Sequence, residues 1–124
     1  MSVGVADNRL KVAVVGCGGI ANEHLPYLAS SPLAHLVGVC DTSRATAMFA
    51  QARFGADGFF LDAQEMLQST QPDVVHVLTP PQSHGALVLM CLKAGAHVIC
   101  EKPMTASVSE TAELLALAKT CGKW

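Results

Sequence analysis

The 124-residue chain has the composition of one globular domain, with 51% apolar and 15% charged residues. Its net charge of -2 without any Lys/Arg cluster gives no footprint for nucleic acid. No apolar run reaches the roughly 20 residues that cross a bilayer, and the first ten residues contain no signal-peptide core. Five cysteines without a CxxC pair or zinc-ligand spacing predict free thiols, no metal site and a cytoplasmic location.

In chain order, short apolar runs alternate with longer segments of helical spacing. Residues 10–15 (LKVAVV) predict a first strand that is closed by glycines. Residues 20–29 predict a helix, which Pro26 is expected to kink or loosen. A second strand at residues 36–40 and a helix at residues 44–54 follow.

The second half of the chain continues the alternation of strand and helix. Strands and helices are predicted in turn at residues 58–61, 63–68, 74–78, 83–94, 97–100 and 107–121. Strands that are nearly continuous Val, Ile and Leu runs, each followed by a helix, imply a parallel sheet covered on both faces. Right-handed crossovers leave few topologies. We therefore predict an α/β fold, a doubly wound, Rossmann-like sheet of order 3-2-1-4-5 in three αβα layers.

A glycine-rich loop, GCGGIA, follows the first predicted strand and fits the pattern GxGxxG/A. Gly16 permits a tight turn, Gly18 lets a pyrophosphate approach the backbone, and the small Ala21 lets the helix pack on the strand. The helix N-terminus adds free N–H groups and a partial positive charge. Cys17 is either a reactive thiol or offers only its backbone. The loop predicts a dinucleotide site at Gly16, Gly18, Gly19, Ile20 and Ala21.

Asp41 ends the second predicted strand, 20 residues beyond Ala21. A carboxylate there accepts hydrogen bonds from both ribose hydroxyls of adenosine and repels a 2′-phosphate, which favours NAD over NADP. Arg44 weakens that preference, because a guanidinium can bind a phosphate. The alternative is that Asp41, Thr42 and Ser43 serve only to cap the next helix.

Two polar loops follow the fourth and fifth predicted strands. They are Thr79-Pro80-Pro81 and Glu101-Lys102-Pro103. In a doubly wound sheet, ligands bind beyond the carboxyl ends of the strands, where the strand order reverses, and these loops meet the glycine loop there. The alternative for Glu101 and Lys102 is a solvated, salt-bridged turn.

Taken together, GCGGIA, Asp41, TPPQSH and CEKPM resemble the N-terminal NAD(P)-binding domain of the Gfo/Idh/MocA oxidoreductases, which include glucose-fructose oxidoreductase and inositol 2-dehydrogenase. The resemblance extends from about residue 10 to residue 122. It implies that Lys102 lies near the nicotinamide as the catalytic group that contacts a sugar or polyol substrate. Glu101 would hold Lys102 or a ribose hydroxyl, and the cofactor would also contact Thr79 and Pro80. Many members carry asparagine where this chain has Pro81, which puts that hydrogen bond in question.

The five histidines fall into three groups. By the resemblance, His84 is the family's histidine at the start of the fourth helix, near the cofactor. His76 lies within an apolar strand and is expected to be a core residue with satisfied hydrogen bonds. His24, His35 and His97 carry no specific signal.

Members of the family are usually more than twice as long, with a second domain that supplies most substrate contacts and a general base. We therefore expect residues 1–124 to be a dinucleotide-binding domain without the substrate domain. The alternative is a non-catalytic dinucleotide-binding module, a sensor or scaffold, against which Lys102 argues. An apolar edge at the fifth strand, with unpaired backbone groups, also predicts a homo-oligomer.

Overall fold

A computed structural model describes residues 7–124. Most of residues 1–10, for which the sequence predicts no signal-peptide core, lie outside the described residues. The strands are β1 (Leu10–Val15), β2 (Ala34–Cys40), β3 (Phe59–Phe60), β4 (Val74–Val77) and β5 (His97–Cys100). The α-helices are α1 (Ala21–Ser30), α2 (Arg44–Phe54), α3 (Ala63–Thr70), α4 (His84–Lys93) and α5 (Val108–Cys121). A short 3-10 turn, Pro81–Ser83, precedes α4.

The five strands form one parallel sheet of order β3-β2-β1-β4-β5, which confirms the predicted topology. The central strand β1 pairs with β2 on one side and β4 on the other, so that Val14 lies between Val39 and His76. Side chains alternate across a strand, and β1 accordingly contributes Val12 and Val14 to one core and Ala13 and Val15 to the other. Both faces of the central strand are therefore buried, as the apolar runs predicted.

Each core is covered by its own helices, which produces the three predicted layers. Residues of α1 and α2 pack on the face of Val12 and Val14. Residues of α3, α4 and α5 pack on the opposite face. The loops at the carboxyl ends of the strands consequently lie together along one edge of this sandwich.

Several boundaries differ from the predictions for physical reasons. Helix α1 spans Ala21–Ser30 with Pro26 inside it, one residue later at each end than predicted. Strand β3, at the sheet edge, has only two residues, which pair with Val39 and Cys40 of β2. Strand β2 begins at Ala34, which pairs with Leu10 of β1.

The outer edge of β5 is partly occupied, in contrast to the prediction of a fully unpaired edge. The Val98 N–H donates to the Trp124 carbonyl at 2.8 Å, and the Trp124 N–H donates to His97 Nδ1 at 3.1 Å. Ile99 remains 41% exposed. Association of copies through this edge stays a prediction. Among residues 7–124, no helix combines the length and apolar composition needed to cross a membrane.

Candidate functional site

A cavity of about 770 Å³ opens at the carboxyl ends of β1, β2 and β4. This volume falls within the range of small-molecule and cofactor pockets. Six of the residues predicted to bind a cofactor line it, namely Gly16, Gly18, Gly19, Asp41, Thr79 and Pro80. The other predicted residues lie outside its wall, namely Ile20, Ala21, Arg44, His84, Glu101 and Lys102. The structure thus brings together the loops after β1, β2 and β4, with the loop after β5 beside them.

The glycine loop has a conformation that only glycine permits at its first position. Gly16 has a φ of +96°, and an added Cβ would lie 2.8 Å from backbone atoms of Leu78 and Thr79. Its N–H donates to the Cys40 carbonyl at 2.8 Å. No atom lies within 4 Å of a Cβ added at Gly18. Gly16 therefore shapes the turn, whereas Gly18 leaves open space between its backbone and the cavity.

The N-termini of α1 and α4 are not capped by side chains, unlike those of α2, α3 and α5. Ser43, Asp62 and Ser107 each accept a hydrogen bond from the first turn of their own helix. The N-cap of α1, Ile20, makes no such bond. Among residues 7–124, the N–H groups of Gly18, Gly19 and Ile20 also find no backbone acceptor. Free N–H groups at a helix N-terminus are well suited to a phosphate.

Asp41 joins the loop after β1 to the loop after β2. Its Oδ2 accepts from the Cys17 N–H at 3.0 Å, and its Oδ1 accepts from the Ser43 N–H at 2.8 Å. The helix cap of α2 is the hydroxyl of Ser43, which accepts from Thr46 N at 3.3 Å. Asp41 therefore has a role besides capping, and each carboxylate oxygen keeps a lone pair for a further donor.

Arg44 lies differently from what the sequence suggested, and a second carboxylate lines the cavity. Arg44 is placed over the ring of Phe59, with its guanidinium carbon 5.3 Å from the ring centroid. Asp62, the N-cap of α3, lines the cavity together with Asp41. Sequence reasoning missed Asp62, although an aspartate three residues before Glu65 is the start of a capping box.

Cys17 has the properties of an unreactive thiol. Burial, followed by the charge of Asp41, raises the pKa of Cys17 to about 12. Its Sγ donates to the Cys40 carbonyl at 3.5 Å. A thiol with this pKa is protonated at neutral pH and is a poor nucleophile. The loop thus uses Cys17 through its backbone N–H.

His84 is buried, at 1% exposure, and connects two loops of the site. Its Nδ1 lies 2.7 Å from the Pro103 carbonyl oxygen, and its Nε2 lies 2.7 Å from the Thr79 carbonyl oxygen. Each ring nitrogen thus faces a backbone carbonyl, and a neutral imidazole donates to one of the two. His84 lies outside the cavity wall but contacts Thr79, which lines it, so its place near the cofactor stays a prediction.

The corner after β5, Glu101 to Pro103, is fixed by contacts of Glu101. The Glu101 N–H donates to the Val77 carbonyl at 3.1 Å, and Oε1 lies 2.8 Å from His24 Nε2. The hydrogen bond from His24 is the main reason that the pKa of Glu101 lies below its ordinary value. Lys102 is exposed, and its peptide bond to Pro103 is cis. The side chain of Glu101 therefore bonds to His24. It does not form the salt bridge to Lys102 that a salt-bridged turn would require.

His24 is a second residue that sequence reasoning missed. Its Nδ1 lies 2.9 Å from Nδ1 of His76, and the two rings meet edge to face with centroids 5.1 Å apart. His76 is 8% exposed and has the hydrogen-bonded core position that was expected. No local signal reveals the His24–Glu101 contact, because 77 residues separate the two. Among residues 7–124, no group of three or more His, Cys, Asp or Glu side chains could hold a metal ion.

The sequence is similar to a known family along almost its whole length. The family GFO_IDH_MocA, an oxidoreductase family with an NAD-binding Rossmann fold, matches residues 10–124. D-glucoside 3-dehydrogenase from Escherichia coli is 34% identical over 124 residues, which cover 99% of this chain and 35% of that protein. Inositol 2-dehydrogenase from Rubrobacter xylanophilus is 37% identical over 100 residues, which cover 80% of this chain and 28% of that protein. The chain spans about a third of the length of these relatives.

Solved structures lead to the same family. The WlbA dehydrogenase from Chromobacterium violaceum, in complex with NADH and UDP-GlcNAcA, has a TM-score of 0.88 and 34% identity, covering 96% of this chain and 34% of that one. KijD10, a 3-ketoreductase from Actinomadura kijaniata in complex with TDP-benzene and NADP, has a TM-score of 0.88 and 29% identity, covering 94% and 37%.

The relatives named above are dehydrogenases and a reductase, and they give no support to a non-catalytic sensor or scaffold. The structure shows independently a sheet order, a glycine loop and a cavity that agree with this similarity. The chain belongs to the GFO_IDH_MocA oxidoreductase family and corresponds to its NAD-binding Rossmann domain.

Proposed function

We propose that the chain is the cofactor-binding domain of an NAD-dependent oxidoreductase that acts on a sugar or polyol. One observation carries this proposal. The N-terminus of α1 has no side-chain cap and follows a glycine loop that opens on a cavity of about 770 Å³. Backbone N–H donors that α2, α3 and α5 pair with side-chain caps are thus left for a ligand at α1.

The pyrophosphate of the dinucleotide would bind at the glycine loop. Gly18 and Gly19 line the cavity, and a Cβ added at either residue would meet no atom within 4 Å, so phosphate oxygens can approach the backbone closely. The partial positive charge of the α1 N-terminus favours an anion there. Ile20 contributes a backbone N–H, and the buried Ala21 allows α1 to pack closely on the sheet.

The adenosine ribose would bind beside Asp41. Asp41 and Asp62 both line this part of the cavity, and two carboxylates repel a 2′-phosphate. Arg44, the cation that could offset them, lies over Phe59 outside the cavity wall. These positions support NAD over NADP. The solved relatives include one with NADH and one with NADP, so the preference is argued from this chain's own residues.

Lys102 is the residue proposed to act on the substrate. It is exposed at the carboxyl end of β5, on the corner that Glu101 and His84 fix in place. The nicotinamide supplies the hydride chemistry when the cofactor is bound. An ammonium beside the reacting oxygen stabilises the negative charge that develops on it during hydride transfer. The substrate class follows the relatives, whose names specify a glucoside and inositol.

A titration with NADH and NADPH tests the cofactor proposal on the chain itself. We expect calorimetry to show tighter binding of NADH, and Asp41→Asn to reduce the preference by about ten-fold. Asp57→Asn is the matched control, because Asp57 is an exposed carboxylate bonded to His35 and lies outside the cavity wall. Tighter binding of NADPH by the wild type would contradict the role of Asp41. Failure to bind either nucleotide would contradict the proposed function.

A further inference from the structure

Three side chains from three different elements form one hydrogen-bonded series beside the corner after β5. Glu101 follows β5, His24 lies in the first turn of α1, and His76 lies within β4. The Glu101–His24 contact is 2.8 Å and the His24–His76 contact is 2.9 Å. The exposure of the side chains is 28% for Glu101 and 18% for His24, and His76 as a residue is 8% exposed. Exposure thus decreases from the corner towards the core.

The Glu101 carboxylate fixes the direction of the first hydrogen bond, and the direction of the second follows when His24 is neutral. The Glu101 carboxylate only accepts, so His24 donates through Nε2–H. A neutral His24 then accepts at Nδ1, and His76 donates through Nδ1–H. Burial, followed by the neighbouring His24, lowers the pKa of His76 to about 4, so His76 is neutral at physiological pH. His76 therefore orients His24 instead of taking up a proton.

This series connects two parts of the site that are distant in sequence. His24 lies on the helix whose N-terminus follows the glycine loop. Glu101 precedes Lys102, and on the other side of the corner His84 contacts the Pro103 carbonyl. The corner is therefore attached to α1 by one histidine and to α4 by another.

We infer that His24 is a positioning residue, which holds Glu101, and with it the corner of Lys102, in place for the nicotinamide half of the cofactor, while His76 fixes the ring of His24. The inference rests on the proposed function, since it assigns one half of the dinucleotide to this corner. By this inference the corner needs His24 to bind the nicotinamide half, whereas the glycine loop would bind the pyrophosphate without His24.

Binding of NADH and of ADP-ribose to the same variants tests the inference, because ADP-ribose lacks only the nicotinamide. We expect His24→Leu to weaken NADH binding by about ten-fold and to leave ADP-ribose binding within about two-fold of the wild type. His24→Gln should restore NADH binding, because its amide can donate to Glu101 and accept from His76. His35→Leu is the matched control, since His35 bonds Asp57 outside the cavity wall. Circular dichroism establishes that each variant is folded.

The outcomes separate the inference from the proposed function. An equal NADH to ADP-ribose affinity ratio in His24→Leu and the wild type overturns the positioning role. Failure of the wild type to bind either ligand overturns the proposed function instead. In that case ¹⁵N NMR of the imidazoles still tests the series, with Nε2–H expected on His24 and Nδ1–H on His76. Absence of a proton on Nε2 of His24 overturns it, because the Glu101 carboxylate can only accept.

Discussion

The glycine loop and the corner after β5 are two parts of one site that are built in different ways. The glycine loop takes its shape from the backbone, since Gly16 has a φ of +96° and backbone atoms surround it closely. The corner takes its place from side chains, since His24 and His84 reach it from α1 and α4. A site made by the backbone depends on a few glycines. A site made by side chains depends on contacts that form only when the whole sheet is assembled.

The largest effect is expected in the glycine loop. Gly16→Ala places a Cβ 2.8 Å from backbone atoms that cannot move aside, at a φ that disfavours alanine. We expect the free energy of unfolding in urea to fall by about 4 kcal/mol. Gly18→Ala is the matched control, because nothing lies within 4 Å of its Cβ, and should change stability by less than about 1 kcal/mol. Equal losses in the two variants would show that the turn is not fixed by the backbone.

The second largest effect is expected in the corner. His84→Ala removes a buried ring that lies between the carbonyls of Thr79 and Pro103 and takes away its N–H donor. We expect a loss of about 3 kcal/mol in urea unfolding. His35→Ala, at a half-buried position beside Asp57, is the control and should have a much smaller effect. A loss no greater than that of the control would mean that His84 does not hold the corner.

The glycine loop could be predicted from the sequence, whereas the contacts that hold the corner could not. The pattern GxGxxA lies within six residues, so the loop of Gly16 was predictable from spacing alone. The bond between His24 and Glu101 spans 77 residues and has no local signal. The role of His84 through Thr79 and Pro103 was not predictable either, because a histidine that matches a motif does not reveal which atoms its nitrogens contact.

The elements of the fold were predicted better than their ends. The helix at Arg44–Phe54 is confirmed, since Gly55, with a φ of 75°, ends it by its own conformation. The extent of β2 and β3 was not predictable, because strand ends depend on the pairing partner. Ala34 belongs to β2 through its pairing with Leu10 of β1. A local residue thus determines the end of α2, whereas the ends of β2 and β3 require the assembled sheet.

The third effect distinguishes the two regions by pH. The pKa of His76 is lowered from 6.5 to about 4 when folded, so between these values only the unfolded chain binds the proton. The contribution of His76 to the free energy of unfolding is therefore fully present above pH 6.5 and is lost as the pH falls towards 4. We expect His76 to account for roughly 3 kcal/mol of this loss. The measurement compares urea unfolding of the wild type and His76→Gln at several pH values, and parallel slopes would contradict the assignment.

The smallest difference between the two regions is expected in the reactivity of their cysteine thiols. Burial is the main cause that raises the pKa of Cys17 in the glycine loop to about 12 and that of Cys100 beside the corner to about 11. Cys121 is exposed. We expect iodoacetamide at about pH 8 to alkylate Cys121 at least about ten-fold faster than the other two, as followed by mass spectrometry. Faster reaction at Cys17 would assign chemistry to the loop that its environment argues against.

The contact between Trp124 and β5 has a spectroscopic consequence. Trp124 is the single tryptophan of the chain. The centroid of its ring lies 4.4 Å from the centroid of the His97 ring, at the outer edge of the sheet. Its emission therefore reports on the environment of this edge and not on the wall of the cavity. If copies of the chain associate through β5, the emission of Trp124 should shift with protein concentration. Tryptophan fluorescence thus provides a label for the edge that requires no modification of the protein.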